Sequence, residues 1–191
     1  MEDKAGVLAD VCAALSRDHP NEAGETLRGR YSFIPLVNVG RHYSVQQMLA
    51  AFVRDGFVDL YSGVRLVCTP TWRLLAKRLP DQFPFQPNWR MDACHFAFCE
   101  LAPTIDHVLP VSHGGTDDES NWATTSMLRN SAKTNFTLGE LGWSLHPPGD
   151  MKCWDGLLGW FIEQASADRS VLDDPYLRRW FGAATGAQGR L

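Results

Sequence analysis

One segment of the chain, residues 104–133, constrains the fold more than any other because its local signals agree with a single order of elements. A β-prone run is followed by a glycine pair that permits a turn with positive φ. A second β-prone run then leads into a residue that is a favourable N-cap. These signals predict a strand at 105–109 ending before Pro110, a loop with Gly114-Gly115, a strand at 122–125, and a helix at 127–133 capped by Ser126.

The same segment carries side chains suited to a divalent cation. Asp106 and the amide of Asn130 are hard oxygen ligands, which suit Mg²⁺ or Mn²⁺ better than Zn²⁺. His107 can take up a proton near neutral pH. Lys133 is three residues after Asn130, so both lie on one side of the predicted helix. An ion, a base and a nearby cation are the components needed to attack a phosphodiester with water.

This arrangement resembles the HNH nuclease motif in its H-N-N form. The spacing is similar to that of the HNH domain in the RNA-guided CRISPR nuclease. The family fold is called ββα-metal, which agrees with the predicted strand–loop–strand–helix order. The resemblance rests on Asp106-His107, Asn121, Asn130 and Lys133 in this order, with Pro110, Gly114-Gly115 and Asp117-Asp118 between them.

The resemblance implies a role for each residue of the motif. Asp106 and Asn130 would hold the ion, and His107 would be the general base that activates water. Asn121 would brace the loop by hydrogen bonds that keep His107 in place. Lys133 would contact phosphate, although a lysine on a helix is as often a solvated charge. For Arg129, contact with phosphate and a surface salt bridge are equally plausible.

The neighbouring positions of Asp106 and His107 raise a geometric problem. Successive side chains of a flat strand point to opposite faces of the sheet, yet both residues must approach the ion. A twisted strand, or an ion at the end of the strand, would resolve the conflict.

Cys94 and Cys99 precede the motif, where many HNH proteins carry a zinc-binding cysteine pair. The spacing is C-x4-C, and the only later cysteine is Cys153. A structural zinc needs four ligands, so we expect buried free thiols and no structural zinc. We expect aromatic packing to support the motif instead, through Trp89, Phe96, Phe98, Trp122 and Trp143.

The flanking regions predict helices and a hairpin around the motif. Overall we expect an α+β single domain, with a helical and hairpin region at 1–90, the nuclease module at 91–143, and C-terminal helices at 144–191. The predicted N-terminal elements are a helix containing Val7 and Val11, a loop at Pro20, Gly24 and Gly29, a strand at 31–39, a helix with a capping box at Ser44-Val-Gln-Gln47 that ends at Gly56, a hairpin at 57–67, a helix at 69–79 and an irregular connector at 80–89.

Two helices with aromatic faces are predicted near the C-terminus. One runs from Trp154 to about Ala167, and the other starts near Asp173 and presents Leu177, Trp180 and Phe181. Such faces either join the core or form a homodimer interface, and the core is the more common outcome.

The composition is that of a globular protein with room for one core in its 191 residues. It has no apolar run of about 18 residues and no signal-peptide pattern, so we expect a cytoplasmic protein. The net charge of −4 counts mildly against coating nucleic acid through bulk charge.

We therefore expect hydrolysis of phosphodiester bonds in DNA with Mg²⁺ or Mn²⁺, in restriction, phage defence or mobile-element biology. The alternatives are a non-catalytic nucleic-acid-binding module of the same fold and an RNA-directed nuclease.

Overall fold

The computed structural model describes residues 2–33 and 42–188. The chain divides into two compact units, Met1–Gly40 and Arg41–Leu191. The N-terminal region predicted from the sequence, residues 1–90, spans this boundary. The boundaries predicted at 90/91 and 143/144 stay predictions. Most of the strand predicted at 31–39 falls on residues 34–41, which lie outside the described residues.

The first unit is a pair of helices, α1 (Lys4–Ser16) and α2 (Pro20–Arg30). Val11 and Ala14 of α1 pack against Ala23 of α2. The loop predicted around Pro20, Gly24 and Gly29 is wrong. Pro20 occupies the start of the helix, where its missing N–H is not needed, and packing of Ala23 offsets the poor helix propensity of glycine.

The second unit places a small antiparallel sheet among short helices. The α+β fold class predicted from the sequence is confirmed. No helix among the described residues is long and apolar enough to cross a membrane. The elements are α3 (Val45–Arg54), α4 (Thr69–Arg78), α5 (Ala97–Glu100), β1 (Pro103–His107), β2 (Trp122–Ser126), α6 (Met127–Lys133), α7 (Leu138–Leu141), α8 (Leu158–Ala167) and α9 (Pro175–Gln188), with 3-10 turns at Val111–His113 and Arg169–Asp173.

We refer to β1, β2 and α6 with their connections, residues 103–133, as the central module. The two strands are antiparallel, and Asp106 lies opposite Ala123 in the register. The hydroxyl of Ser126 accepts a hydrogen bond from the Arg129 amide and caps α6. The predicted strand–loop–strand–helix order is thus confirmed.

The elements before the module agree with the sequence predictions except at the hairpin. Ser44 and Gln47 form the predicted capping box of α3, and Gly56 follows its end with a φ of 65°. The predicted hairpin at 57–67 has a single antiparallel bridge, between Val58 and Arg65. The Asp59 amide donates to the Val64 carbonyl and the Leu66 amide to the Phe57 carbonyl across this turn, while the Leu60 amide donates to the Thr124 carbonyl of β2.

The C-terminal aromatic faces belong to the core. Leu177 and Trp180 of α9 are buried, and Trp180 stacks with Phe52 of α3. Leu177 and Trp180 are therefore covered within the chain, and the homodimer stays a prediction. Helix α8 begins at Leu158 instead of Trp154 because Gly156 and Leu157 adopt positive φ angles of 67° and 58°.

Two buried carboxylates on the segment 55–59 hold strand β2 in place. Asp59 accepts hydrogen bonds from the Ser126 amide and the Thr125 hydroxyl, at 3.0 and 3.1 Å. Asp55 accepts one from the Thr124 amide at 2.8 Å. Because these donors are buried, each needs its acceptor in the folded state.

Replacing Asp59 with alanine tests this support. We expect Asp59→Ala to lower the free energy of unfolding by about 2–4 kcal/mol, since buried donors lose their acceptor. Urea unfolding measures the change. Asp81→Ala, at an exposed position, is the matched control and should stay within about 0.5 kcal/mol of the parent. Equal stability of the two variants would contradict the role given to Asp59.

Candidate active site

Asp106 and His107 are the last two residues of β1, and both are buried. Their side chains have different partners. Asp106 contacts Tyr61 and Lys133, whereas His107 contacts Asp117 and Tyr43. The position of the pair at the end of the strand corresponds to one of the two solutions that the sequence left open.

The two carboxylate oxygens of Asp106 differ in their surroundings. Oδ2 accepts a hydrogen bond from the Tyr61 hydroxyl at 2.8 Å and lies 2.9 Å from the Lys133 ammonium. Oδ1 has no hydrogen-bond partner among residues 2–33 and 42–188. Burial, and then the charge of Asp106, raise the pKa of Tyr61 far above its ordinary value, so its hydroxyl stays a donor.

Lys133 is completely buried at the end of α6. Its ammonium donates to the His107 carbonyl oxygen at 2.7 Å as well as pairing with Asp106. The alternative of a solvated helix charge is therefore wrong. Contact with phosphate stays a prediction, and complete burial of the ammonium argues against it.

His107 is held by a carboxylate that sequence reasoning did not single out. Its Nε2 lies 2.8 Å from Oδ1 of Asp117, and since a carboxylate only accepts, Nε2 is the donor. The same oxygen accepts from the Tyr43 hydroxyl at 2.9 Å and from the Trp122 indole at 3.2 Å. The hydrogen bond from His107 is the largest cause that holds the pKa of Asp117 below its ordinary value. The only sequence signal was the Asp117-Asp118 pair in the motif.

Asn121 closes the loop between the strands. Its Nδ2 donates to the carbonyl oxygens of Leu109 and Thr116, both at 2.8 Å, and its Oδ1 accepts from the Leu109 amide at 2.9 Å. Gly115 completes the closure, since a Cβ at this position would lie 1.9 Å from the Leu109 oxygen. The loop that carries Asp117 is thereby fixed relative to the end of β1.

Asn130 lies on α6 beside β1, where its Nδ2 is 3.4 Å from the Ile105 carbonyl oxygen. This contact places the asparagine next to the strand that carries Asp106. Arg129, the neighbouring residue, lies over the ring of Trp143 at 5.1 Å. None of these contacts tests the roles predicted for Asn130 and Arg129, which stay predictions.

The oxygens of Asp106 and Asn130 fit a hard divalent cation, but two protein ligands are few for such an ion. Within residues 2–33 and 42–188 no hydrogen bond reaches Oδ1 of Asp106, and the half-buried Asn130 carries an amide oxygen. Among the described residues no cluster of three or more His, Cys, Asp or Glu is present. One carboxylate with an ammonium at 2.9 Å carries little net charge, so water and substrate phosphate would have to complete the coordination.

Cys94 and Cys99 lie near the start of the module. Cys94 is buried in an aromatic cluster with Phe98, and Cys99 is half-buried. Both are free thiols, as are the remaining cysteines. The absence of a structural zinc stays a prediction. Of the aromatic side chains expected to support the motif, Trp89, Phe98, Trp122 and Trp143 pack in hydrophobic clusters, whereas Phe96 is 45% exposed.

Residues 93–135 match the family model of the HNH endonuclease. The resemblance inferred from the sequence is thus confirmed for this segment, which contains the whole central module. The match assigns the segment a nuclease-type function on nucleic acid. Comparison with curated proteins and with solved structures gave no match. Tyr43, Asp59 and Tyr61, which contact the HNH module, lie outside the matched residues.

Asn121→Asp tests whether the loop depends on the amide. An aspartate cannot donate to the Leu109 and Thr116 oxygens, so we expect a loss of about 2 kcal/mol in the free energy of unfolding. Thermal and urea unfolding measure it. Asn88→Asp, at an exposed position, is the matched control and should leave stability unchanged. A stable Asn121→Asp protein would show that the loop is held by other contacts.

Proposed function

We propose that the chain is a metal-dependent nuclease that hydrolyses phosphodiester bonds in DNA. One observation carries the proposal. Within the segment that matches the HNH endonuclease family, one strand end presents a carboxylate with an open oxygen, Asp106, beside a histidine paired with a carboxylate, His107 with Asp117. A hard-cation ligand and a supported base are the two components that such hydrolysis requires.

His107 takes the proton from the attacking water in this mechanism. The Asp117 carboxylate, hydrogen-bonded to Nε2, orients the ring and stabilises the imidazolium that forms. The Tyr43 hydroxyl and the Trp122 indole hold the carboxylate oxygen that faces His107. The base therefore works from a fixed position.

Asp106 and Asn130 are the residues that would hold Mg²⁺ or Mn²⁺. When bound, the ion supplies stabilisation of the charge that builds up on the scissile phosphate and on the leaving 3′ oxygen. Lys133 positions both Asp106 and the His107 backbone, because its ammonium contacts the carboxylate of one and the carbonyl of the other. Asn121 keeps the Asp117 loop closed.

The main rival is a module of the same fold that binds nucleic acid without cutting it. The presence of Asp106, His107 and Asn130 in one folded module favours catalysis. An RNA-directed nuclease is the second rival, and only the choice of substrate in an assay separates it from a DNA nuclease. A role in restriction, phage defence or mobile-element biology, and a cytoplasmic location, stay predictions.

Cleavage of plasmid DNA tests the function directly. We expect nicked or linear product with Mg²⁺ or Mn²⁺ and none with excess EDTA. His107→Ala should lower the rate by about 10²–10⁴-fold, as expected for loss of a general base, while leaving folding and DNA binding intact. RNA of the same sequence is the comparison substrate. Full activity in EDTA would exclude the metal mechanism.

Asp106→Ala, compared with His107→Ala in the same assay, distinguishes the role of metal ligand from that of general base. Once circular dichroism establishes that Asp106→Ala is folded despite the unpaired Lys133 ammonium, high Mn²⁺ should partly restore cleavage, because the substitution weakens ion binding and retains the base. No metal concentration should restore His107→Ala. The opposite pattern of rescue would mean that the two roles are assigned the wrong way round.

Asp117→Asn tests the support of the base. We expect cleavage to fall by more than about tenfold without loss of stability, because an amide no longer stabilises the imidazolium. Asp118→Asn is the matched control, since the Asp118 carboxylate accepts hydrogen bonds from Ser120 and Thr116 and not from His107. The rate of each variant across pH is the measurement. Equal rates for the two variants would remove Asp117 from the mechanism.

A further inference from the structure

Tyr61, a residue outside the central module, donates a hydrogen bond to one carboxylate oxygen of Asp106, the predicted metal ligand. Tyr61 donates to Oδ2 of Asp106 at 2.8 Å, and the Lys133 ammonium lies 2.9 Å from the same atom. Tyr61 and Lys133 are both buried. Among the described residues, the two donors leave Oδ1 as the carboxylate oxygen that accepts no hydrogen bond.

The position of the Tyr61 hydroxyl is fixed by contacts at both ends of the residue. Its amide donates to the buried carboxylate of Asp59 at 2.9 Å. Its ring packs against Trp143 with centroids 5.9 Å apart and lies 5.7 Å from the Lys133 ammonium. The backbone hydrogen bond and the ring contacts thus hold the buried phenol beside Asp106.

Divalent ions differ in what they require of a carboxylate. Mg²⁺ is small and octahedral, and one oxygen of each carboxylate suffices. Ca²⁺ takes six to eight oxygens and often uses both oxygens of one carboxylate. The charge of Lys133 repels any divalent ion alike, because all of them carry the same charge. Occupation of Oδ2 therefore affects the ratio of the two affinities through geometry rather than through charge.

We propose that Tyr61, together with Lys133, determines which metal the site prefers. This inference rests on the proposed function. The two donors withhold Oδ2 of Asp106 from the ion. The site consequently favours Mg²⁺ and Mn²⁺ over Ca²⁺, which loses the second carboxylate oxygen.

The affinities of Mn²⁺ and Ca²⁺ for the full chain test this inference without any cleavage. Mn²⁺ binding is followed by electron paramagnetic resonance, and Ca²⁺ by its displacement of Mn²⁺, with the His107→Ala protein and a DNA duplex present. Tyr61→Phe removes only the hydroxyl, and Tyr61→Phe with Lys133→Met frees Oδ2 completely. We expect the double variant to shift the ratio of dissociation constants toward Ca²⁺ by about tenfold, and Tyr61→Phe by about threefold in the same direction.

Tyr176→Phe is the matched control, because this partly buried phenol on α9 has no contact with Asp106. Its ratio should equal that of the parent. Circular dichroism establishes whether each variant is folded. If the double variant fails to fold, the ratio of dissociation constants in Tyr61→Phe decides whether the inference stands. A folded Tyr61→Phe protein with an unchanged ratio would overturn the inference.

The same measurement separates this inference from the proposed function. If Asp106→Ala leaves Mn²⁺ binding unchanged, the proposed metal site is wrong, and the inference falls with it. If Asp106→Ala abolishes Mn²⁺ binding and the parent cleaves DNA while the ratio stays constant in Tyr61→Phe, only the inference is wrong.

Discussion

A buried ammonium joins the helix of the HNH module to the end of its first strand. Lys133 reaches from α6 to the carboxylate of Asp106 and the carbonyl oxygen of His107. Breaking a buried pair by removing one partner generally costs about 3–5 kcal/mol, since the remaining charge is left uncompensated. Lys133 thus links strand, helix and candidate active site through one buried side chain.

The module depends on the chain that precedes it. The carboxylates of Asp55 and Asp59 hold the backbone of β2, and Arg54 donates to the Trp122 carbonyl oxygen at 2.7 Å. The Tyr61 hydroxyl donates a hydrogen bond to Asp106, and the Tyr43 hydroxyl donates one to Asp117. Residues outside the matched segment therefore determine how the side chains of a short motif are oriented.

Local signals predicted the parts of this structure that are governed by local physics. The caps at Ser44 and Ser126, the glycine pair and the strand–loop–strand–helix order follow from interactions within a few residues. The burial of Lys133 could not be predicted from the sequence, because helical spacing shows which side of α6 carries the residue but not which residues cover that side. Tyr61 was missed because its hydrogen bond to Asp106 spans 45 positions in the sequence. The loop wrongly predicted at Pro20 shows the reverse case, in which packing overrides weak local propensity.

The central claim is that Asp106 and Asn130 hold the ion that acts on the substrate phosphate. It is tested most directly by crystallising the His107→Ala protein with a DNA duplex and Mn²⁺, and by locating the metal from its anomalous scattering. The account predicts one Mn²⁺ bonded to Oδ1 of Asp106, to Asn130 and to a phosphate oxygen. A Mn²⁺ bound elsewhere, or DNA bound in the site with no ion at Asp106, would contradict it.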